Sequence, residues 1–281
     1  MSVFGRRAAR WAAGAATGVA PWGRQRLLLM LSGALVLVLA LVIGVGLAVW
    51  YTVGGSLRTT PAATALVPAN GLSLRDRIAA EPMAGVDPQA AYTPDSTIQD
   101  TPTMLVPLPA DDDLGLAEVA VGFPHTPAGA VAQWAAIERR VLEAMDLQVA
   151  RKVHQEWVLP GGPALAQWEL TRSVQAFLTS ARQSGQRKDV STLVAATPAG
   201  AIVKGADGPD WVLACVLLDV RVVVKAEARM GYGLCARMLW VGDRWLVGAG
   251  AQPAVAPSTW PGSATAARAG WLAWVDGEGG R

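Results

Sequence analysis

Hydrophobic and polar positions divide this chain into three stretches of different character. Leu27–Trp50 reads LLLMLSGALVLVLALVIGVGLAVW, and no charged residue occurs between Arg26 and Arg58. A helix of about 24 residues spans roughly 36 Å, enough to cross a hydrocarbon core ~30 Å thick. A helix also satisfies its own backbone polar groups there, as lipid requires. Trp22 on one side and Trp50-Tyr51 on the other fit interfacial aromatic belts. The run is longer than a cleaved signal peptide's apolar region and closes on aromatic residues, so an uncleaved anchor over 27–51 is expected.

From residue 52 to 113 no period persists. Prolines fall at 61, 68, 82, 88, 94, 102, 107 and 109 among Ala, Thr and Ser. This composition predicts an extended, partly disordered tether, with a root-mean-square span near 40 Å for about 60 residues. Within it, Ser73–Ala80 could form a helical turn or two.

Residues 114–276 are periodic again. Thr126-Pro127 starts a helix, with Thr as N-cap and Pro at the first helical position. Val131, Trp134, Ile137, Val141 and Met145 then recur at intervals of three and four. Asp146 caps a second helix carrying Val149, Val153 and Trp157, which the Pro160–Pro163 run stops. A third helix is expected from Ala164 to about Arg182. The pattern then turns to period two, predicting strands at Val190–Ala195, Ala201–Gly205, Trp211–Lys225, Met230–Val241 and Arg244–Gly248. Gly242-Asp243 marks a tight hairpin. An Ala-rich helix carrying Trp271 and Trp274 on one side is expected near the end, before a flexible 277–281. Helices followed by strands predict an α+β domain, its helices packed on a curved antiparallel sheet.

Charge orients the anchor. Residues 1–26 carry Arg6, Arg7, Arg10, Arg24 and Arg26 and no acid, which places this short tail in the cytoplasm and the C-terminal domain outside. The whole chain is only 16% charged, with a net charge of +2, so no direct nucleic-acid partner is implied. Arg dominates the cations; Lys occurs only at 152, 188, 204 and 225, which with the Ala and Gly content suggests a GC-rich genome.

Candidate chemistry is sparse. Two cysteines and two histidines are too few for a Cys-rich zinc site, and no phosphate loop, paired-His helix motif or nucleophile elbow is present. No cofactor or metal is expected. A hairpin centred near Lys225 would set Cys215 opposite Cys235; a disulfide and two separate small core residues are both open readings. Asp219 is the acid within an apolar strand, but it shares its face with Arg221 and Lys225. His125 lies in a Pro-bounded loop and His154 on a solvated helix face. Arg221, Lys225, Arg229 and Arg237, with the Trp271–Trp274 pair, are the candidate protein-contact surface, and no catalytic residue is assigned.

Three stretches carry a family resemblance: Gly122–Val131 (GFPHTPAGAV), Leu239–Val247 (LWVGDRWLV) and Pro257–Gly262 (PSTWPG). They resemble actinobacterial membrane-anchored proteins found among conjugation and mobile-element genes. The domain is similar to the nuclear-transport-factor-2-like fold, a cone of helices and curved sheet. That fold serves the extracytoplasmic scaffold subunits of type IV secretion machines, which share the short tail, single span and outer domain. The resemblance implies a membrane-anchored scaffold or assembly subunit, not an enzyme, acting through other membrane or secretion proteins and as a homo-oligomer. The alternatives are a small-ligand binder or enzyme using the domain cavity, or an accessory protein of another envelope transporter.

Overall fold

The computed structural model describes residues 72–97, 100–109, 114–183 and 185–277. The expected span at 27–51 lies outside them. None of the described helices is long and apolar enough to cross a membrane.

The domain is a curled half-barrel sheet with helices on its inner face. Four helices matter: α1 (Leu74–Ala80), α2 (Pro127–Ala144), α3 (Leu147–Trp157) and α4 (Glu169–Ser180), followed late in the chain by the short α5 (Ala264–Arg268). The strands are β1 (Thr103–Pro107), β2 (Leu193–Ala206), β3 (Trp211–Val223), β4 (Glu227–Val241), β5 (Arg244–Val247) and β6 (Leu272–Gly277), in the order β1-β6-β2-β3-β4-β5.

Local chemistry sets the helix ends. The Thr126 hydroxyl accepts from the Gly129 N–H at 3.0 Å, and Pro127 follows at a position that needs no donor. Met145 ends α2 in the left-handed region (φ 41°), and the Asp146 carboxylate accepts from the Gln148 N–H at 2.6 Å to start α3. The third helix is shorter than its expected span: Ala164–Gln167 forms turns, and regular helix begins only at Glu169.

Alternation along β3 and β4 sorts the sheet into two faces. Val212, Ala214, Val216, Leu218, Leu234, Ala236 and Met238 face the helices and pack with Trp134, Ile137, Val141, Val153, Trp157, Leu170 and Val174. The intervening Cys215, Leu217 and Cys235 face the other way, into a second layer with Met83, Ala256, Ala266 and Trp271. β2 is one long strand where two were expected. Register shifts at Pro198/Gly200 and Val203/Gly205 bend it without ending it, and Pro198 cannot donate to the ladder.

The expected tether needs correction from residue 72 onward. α1 lies against Trp211 and Leu213 on the outer face, with Ala79 buried. Arg75 pairs with Asp207 at 2.6 Å, and Lys204 donates to the carbonyls of Ala79 and Glu81. Further along, β1 joins the sheet as a parallel neighbour of β6, so the sheet is mixed and not purely antiparallel. The C-terminal expectation also changes. The Ala-rich helix stops at Arg268, Gly270 takes φ +93°, and Leu272–Gly277 continues as β6. Gly277 thus belongs to a strand, and 278–281 lie outside the described residues.

Gly231 shows why the lone Gly-Tyr-Gly of β4 is there. A Cβ at Gly231 would sit 1.7 Å from the Thr259 carbonyl oxygen, so the 250–271 segment can cross the sheet only where a side chain is missing.

Candidate functional site

The interior between the helices and the curled sheet holds an acid that is absent from the sequence expectations. Glu138 lies on α2 four residues after Trp134 and three before Val141, on the helix's apolar stripe, and its exposure is 0%. Neither carboxyl oxygen has a hydrogen-bond partner. The Trp134 indole approaches it but donates to the Leu234 carbonyl, at 3.4 Å. Burial pushes the Glu138 carboxyl well above the usual range, and the indole offsets this only in part. Nearby, the Tyr232 hydroxyl shares a 2.7 Å hydrogen bond with the Ser173 hydroxyl, and burial raises the phenol too. Burial thus favours the protonated form of the Glu138 carboxyl in this apolar interior. With no exposure it offers nothing to a substrate in this conformation. Its signal was legible: a glutamate at i+4 from a buried Trp falls on the buried face.

Asp219 stands on the sheet face away from the helices. It accepts two bonds from Arg229, at 2.7 and 2.9 Å, and one from Arg221 at 3.3 Å, and Arg229 stacks over Trp260 at 4.5 Å. Its carboxylate is a fixed counter-ion for that cation cluster. His125 stacks on Trp240 at 4.4 Å and meets Asp210 at 2.8 Å, which ties the loop before α2 to the β4–β5 hairpin. His154 is half-buried, not solvated; its Nε2 contacts the Pro163 carbonyl at 2.7 Å. Among the described residues, no three His, Cys, Asp or Glu side chains gather where a metal could bind.

The candidate contact residues do not form one surface. Arg221 and Lys225 are exposed near the β3–β4 turn, and Arg229 is half-buried beside them. Arg237 is at the other end of β4 with only 6% of its side chain exposed. It bonds Asp76 at 2.9 Å and the Ala251 carbonyl at 3.0 Å, so it fastens α1 and the 250–254 segment to the sheet. The Asp76 carboxyl is held below its ordinary range by the Ser73 hydroxyl first and Arg237 second. Trp271 is likewise a correction: it is buried and donates to the Pro257 carbonyl at 3.0 Å. Trp274 points to the opposite face from Trp271 because β6 is a strand, and three residues along a strand invert the side. Cys215 and Cys235 are register partners on β3 and β4, their sulfurs bonded at 1.99 Å beneath Met83.

The accessible concavity is elsewhere. A cavity of about 280 Å³ opens between α2 and the β1–β6 side of the sheet. Phe123, Trp274, Pro107, Ala132 and Ala136 make its apolar walls, and Arg139 and Asp276 its charged rim. Beside it runs β1, the edge strand, with Leu105 61% exposed and Leu108 and Val275 also exposed. The sequence reading missed this site because it assigned β1 to the tether and β6 to a helix.

No protein-family model, no curated protein and no solved structure matches this chain.

Proposed function

We propose that this chain is a membrane-anchored assembly subunit whose outer domain works by protein–protein contact, with the β1 edge and its neighbouring groove as the contact surface. The observation that carries this reading is the pairing of an edge strand that has no outer neighbour among the described residues with an apolar groove. Monomeric proteins rarely leave such strands bare, and extended segments of partner chains add to them readily. The buried, closed cone around Glu138 fits a scaffold better than an enzyme. The apolar run at 27–51 and the arginine-rich tail supply the anchor, with the domain outside the cytoplasm.

The layout resembles the scaffold subunits of conjugation and type IV secretion machines, and a nuclear-transport-factor-2-like cone is the finer fold assignment we favour. Affinity capture of the full-length protein from detergent-solubilised membranes tests the reading. Components of a DNA-transfer or secretion machine should co-purify, and Trp274→Ala, at the groove wall, should reduce their recovery. Recovery of none of them, at normal protein levels, would sink the assignment. The second reading, a ligand-binding or enzymatic cone, rests on the unpartnered carboxyl of Glu138. It requires an opening of the α2–sheet contact that a bound small molecule would have to hold.

A further inference from the structure

The tip of the sheet where β2 begins and β3 turns into β4 leaves four aliphatic side chains in water. Leu193 and Val223 are register partners, so they share a face of the β2–β3 ladder. Their neighbours Val194 and Val222 pack into the core beneath the helices, which sends Leu193 and Val223 to the outer face. Leu193 is 66% exposed there and Val223 37%. A turn closed by the Thr192 N–H on the Asp189 carbonyl, at 2.9 Å, carries Val190 just ahead of Leu193. Val190 is 98% exposed. Val224 opens the connection between β3 and β4 and is exposed as well. Single exposed aliphatics are ordinary; four at one tip mark a contact surface.

Cations surround this tip. Residues 182–193 and 219–229, which build it, hold six cations, three acids and no aromatic residue. Arg221 and Arg229 are taken up by Asp219. Arg187 and Lys225 are exposed and form no ion pair among the described residues. We propose that the tip docks on an anionic phospholipid surface, with Val190, Leu193, Val223 and Val224 entering the boundary between headgroups and acyl chains and Arg187 and Lys225 meeting the phosphates.

Shape and composition select lipid over a protein partner. Aliphatic side chains that project from turns suit a fluid apolar layer, which moulds itself around them. A protein would need a pocket for each, and the energy of protein interfaces comes mainly from packed Trp, Tyr and Arg, with Val and Leu under-represented. Charge complementarity fits the same occupant. Burial of the aliphatics and attraction of the two free cations to anionic headgroups act together, as they do for interfacial helices. The contact is a property of the tip itself, so it stands or falls apart from the anchored reading above.

A polarity-sensitive fluorophore on Val190→Cys of the full-length protein tests it, in phosphatidylcholine vesicles with and without phosphatidylglycerol. Cys215 and Cys235 are bonded to each other, so the new thiol alone takes the label. The emission should shift blue with phosphatidylglycerol present, much less without it, and return on adding high salt. Arg187→Gln and Lys225→Gln should each weaken the contact about fivefold. Both side chains are exposed, so neither change disturbs the fold. A label on Asp243→Cys, in the β4–β5 turn at the other end of β4, should stay in water. An unshifted Val190 label in phosphatidylglycerol vesicles overturns the proposal. An equal shift at Asp243, which marks general adsorption, does so too, as does a shift indifferent to salt and to both substitutions. A shift that requires added membrane proteins would assign the tip to a protein partner instead. Retention in the vesicles after an alkaline wash scores the anchor separately, because a surface contact is stripped and a spanning helix is not.

Discussion

Replacing Glu138 by glutamine removes the one charge-bearing group among the described residues that the helix–sheet interior buries without a partner of its own. The two side chains are nearly isosteric and both leave polar atoms desolvated, so their packing costs are similar. Their pH dependence is not. The folded-state pKa of Glu138 is raised, because burial disfavours the carboxylate. Below the unfolded-state pKa, about 4.3 for glutamate, both states hold the proton and the wild type carries no penalty. As pH rises above that value, the unfolded chain ionises while the folded one stays neutral. Stability then falls by about 1.4 kcal/mol per pH unit until the folded-state pKa is reached, and levels off beyond it. The glutamine variant lacks this slope. Urea unfolding of wild type and Glu138→Gln, followed by tryptophan fluorescence from pH 4 upward, should give near-equal stability at the acid end. The variant should gain by about 1.4 kcal/mol over the first full unit above pH 5. Parallel stability curves for the two proteins would refute the assignment of a neutral, buried Glu138, as would a variant less stable than wild type at pH 7.5.

Three other changes follow from the same structure. Cys215→Ala with Cys235→Ala opens a loop of sequence separation 20. The chain-entropy model puts the loss at about 3 kcal/mol, seen as a lower urea midpoint without reductant and no difference from wild type once both are fully reduced. Gly231→Ala drives a methyl into the Thr259 carbonyl and should cost more than about 3 kcal/mol or prevent docking of the 250–271 segment, read by proteolysis at that segment. Leu39→Arg places a charge within the apolar run at a cost of roughly 2.5–3.5 kcal/mol on insertion scales, and should shift protein from the membrane pellet to the soluble fraction. Full retention in the pellet would show that something other than 27–51 holds the chain there.

Patterns confined to neighbouring residues were legible before any coordinates. The apolar stripe of α2, the Thr126 and Asp146 caps, the long β3 and β4 strands and the Gly242-Asp243 turn all rest on spacings of four residues or fewer. The opposition of Cys215 and Cys235 follows from the turn position and period-two counting alone. The charged surface was read less well. Arg221 on β3 and Arg237 on β4 face the same side of the sheet, and nothing local distinguishes them; Asp76, far upstream in the sequence, pairs with Arg237 and helps to bury it. Glu138 sat on a visibly apolar stripe, but only the packing of α2 on the sheet strips its carboxyl of hydrogen-bond partners.

The sequence by itself therefore determined the helical character of α2 and α3 and the strands β3, β4 and β5, because those depend on propensity and on a side-chain period that each segment carries within itself. Tertiary structure alone decided that residues 72–97 and 100–107 belong to the domain. The bonds that hold them there, Arg75 to Asp207, Asp76 to Arg237 and β1 to β6, join residues more than a hundred positions apart. A Pro-rich stretch with no period of its own looks like a tether until the surface that receives it exists. The candidate contact edge is made of such a stretch, which is why the folded chain alone reveals it.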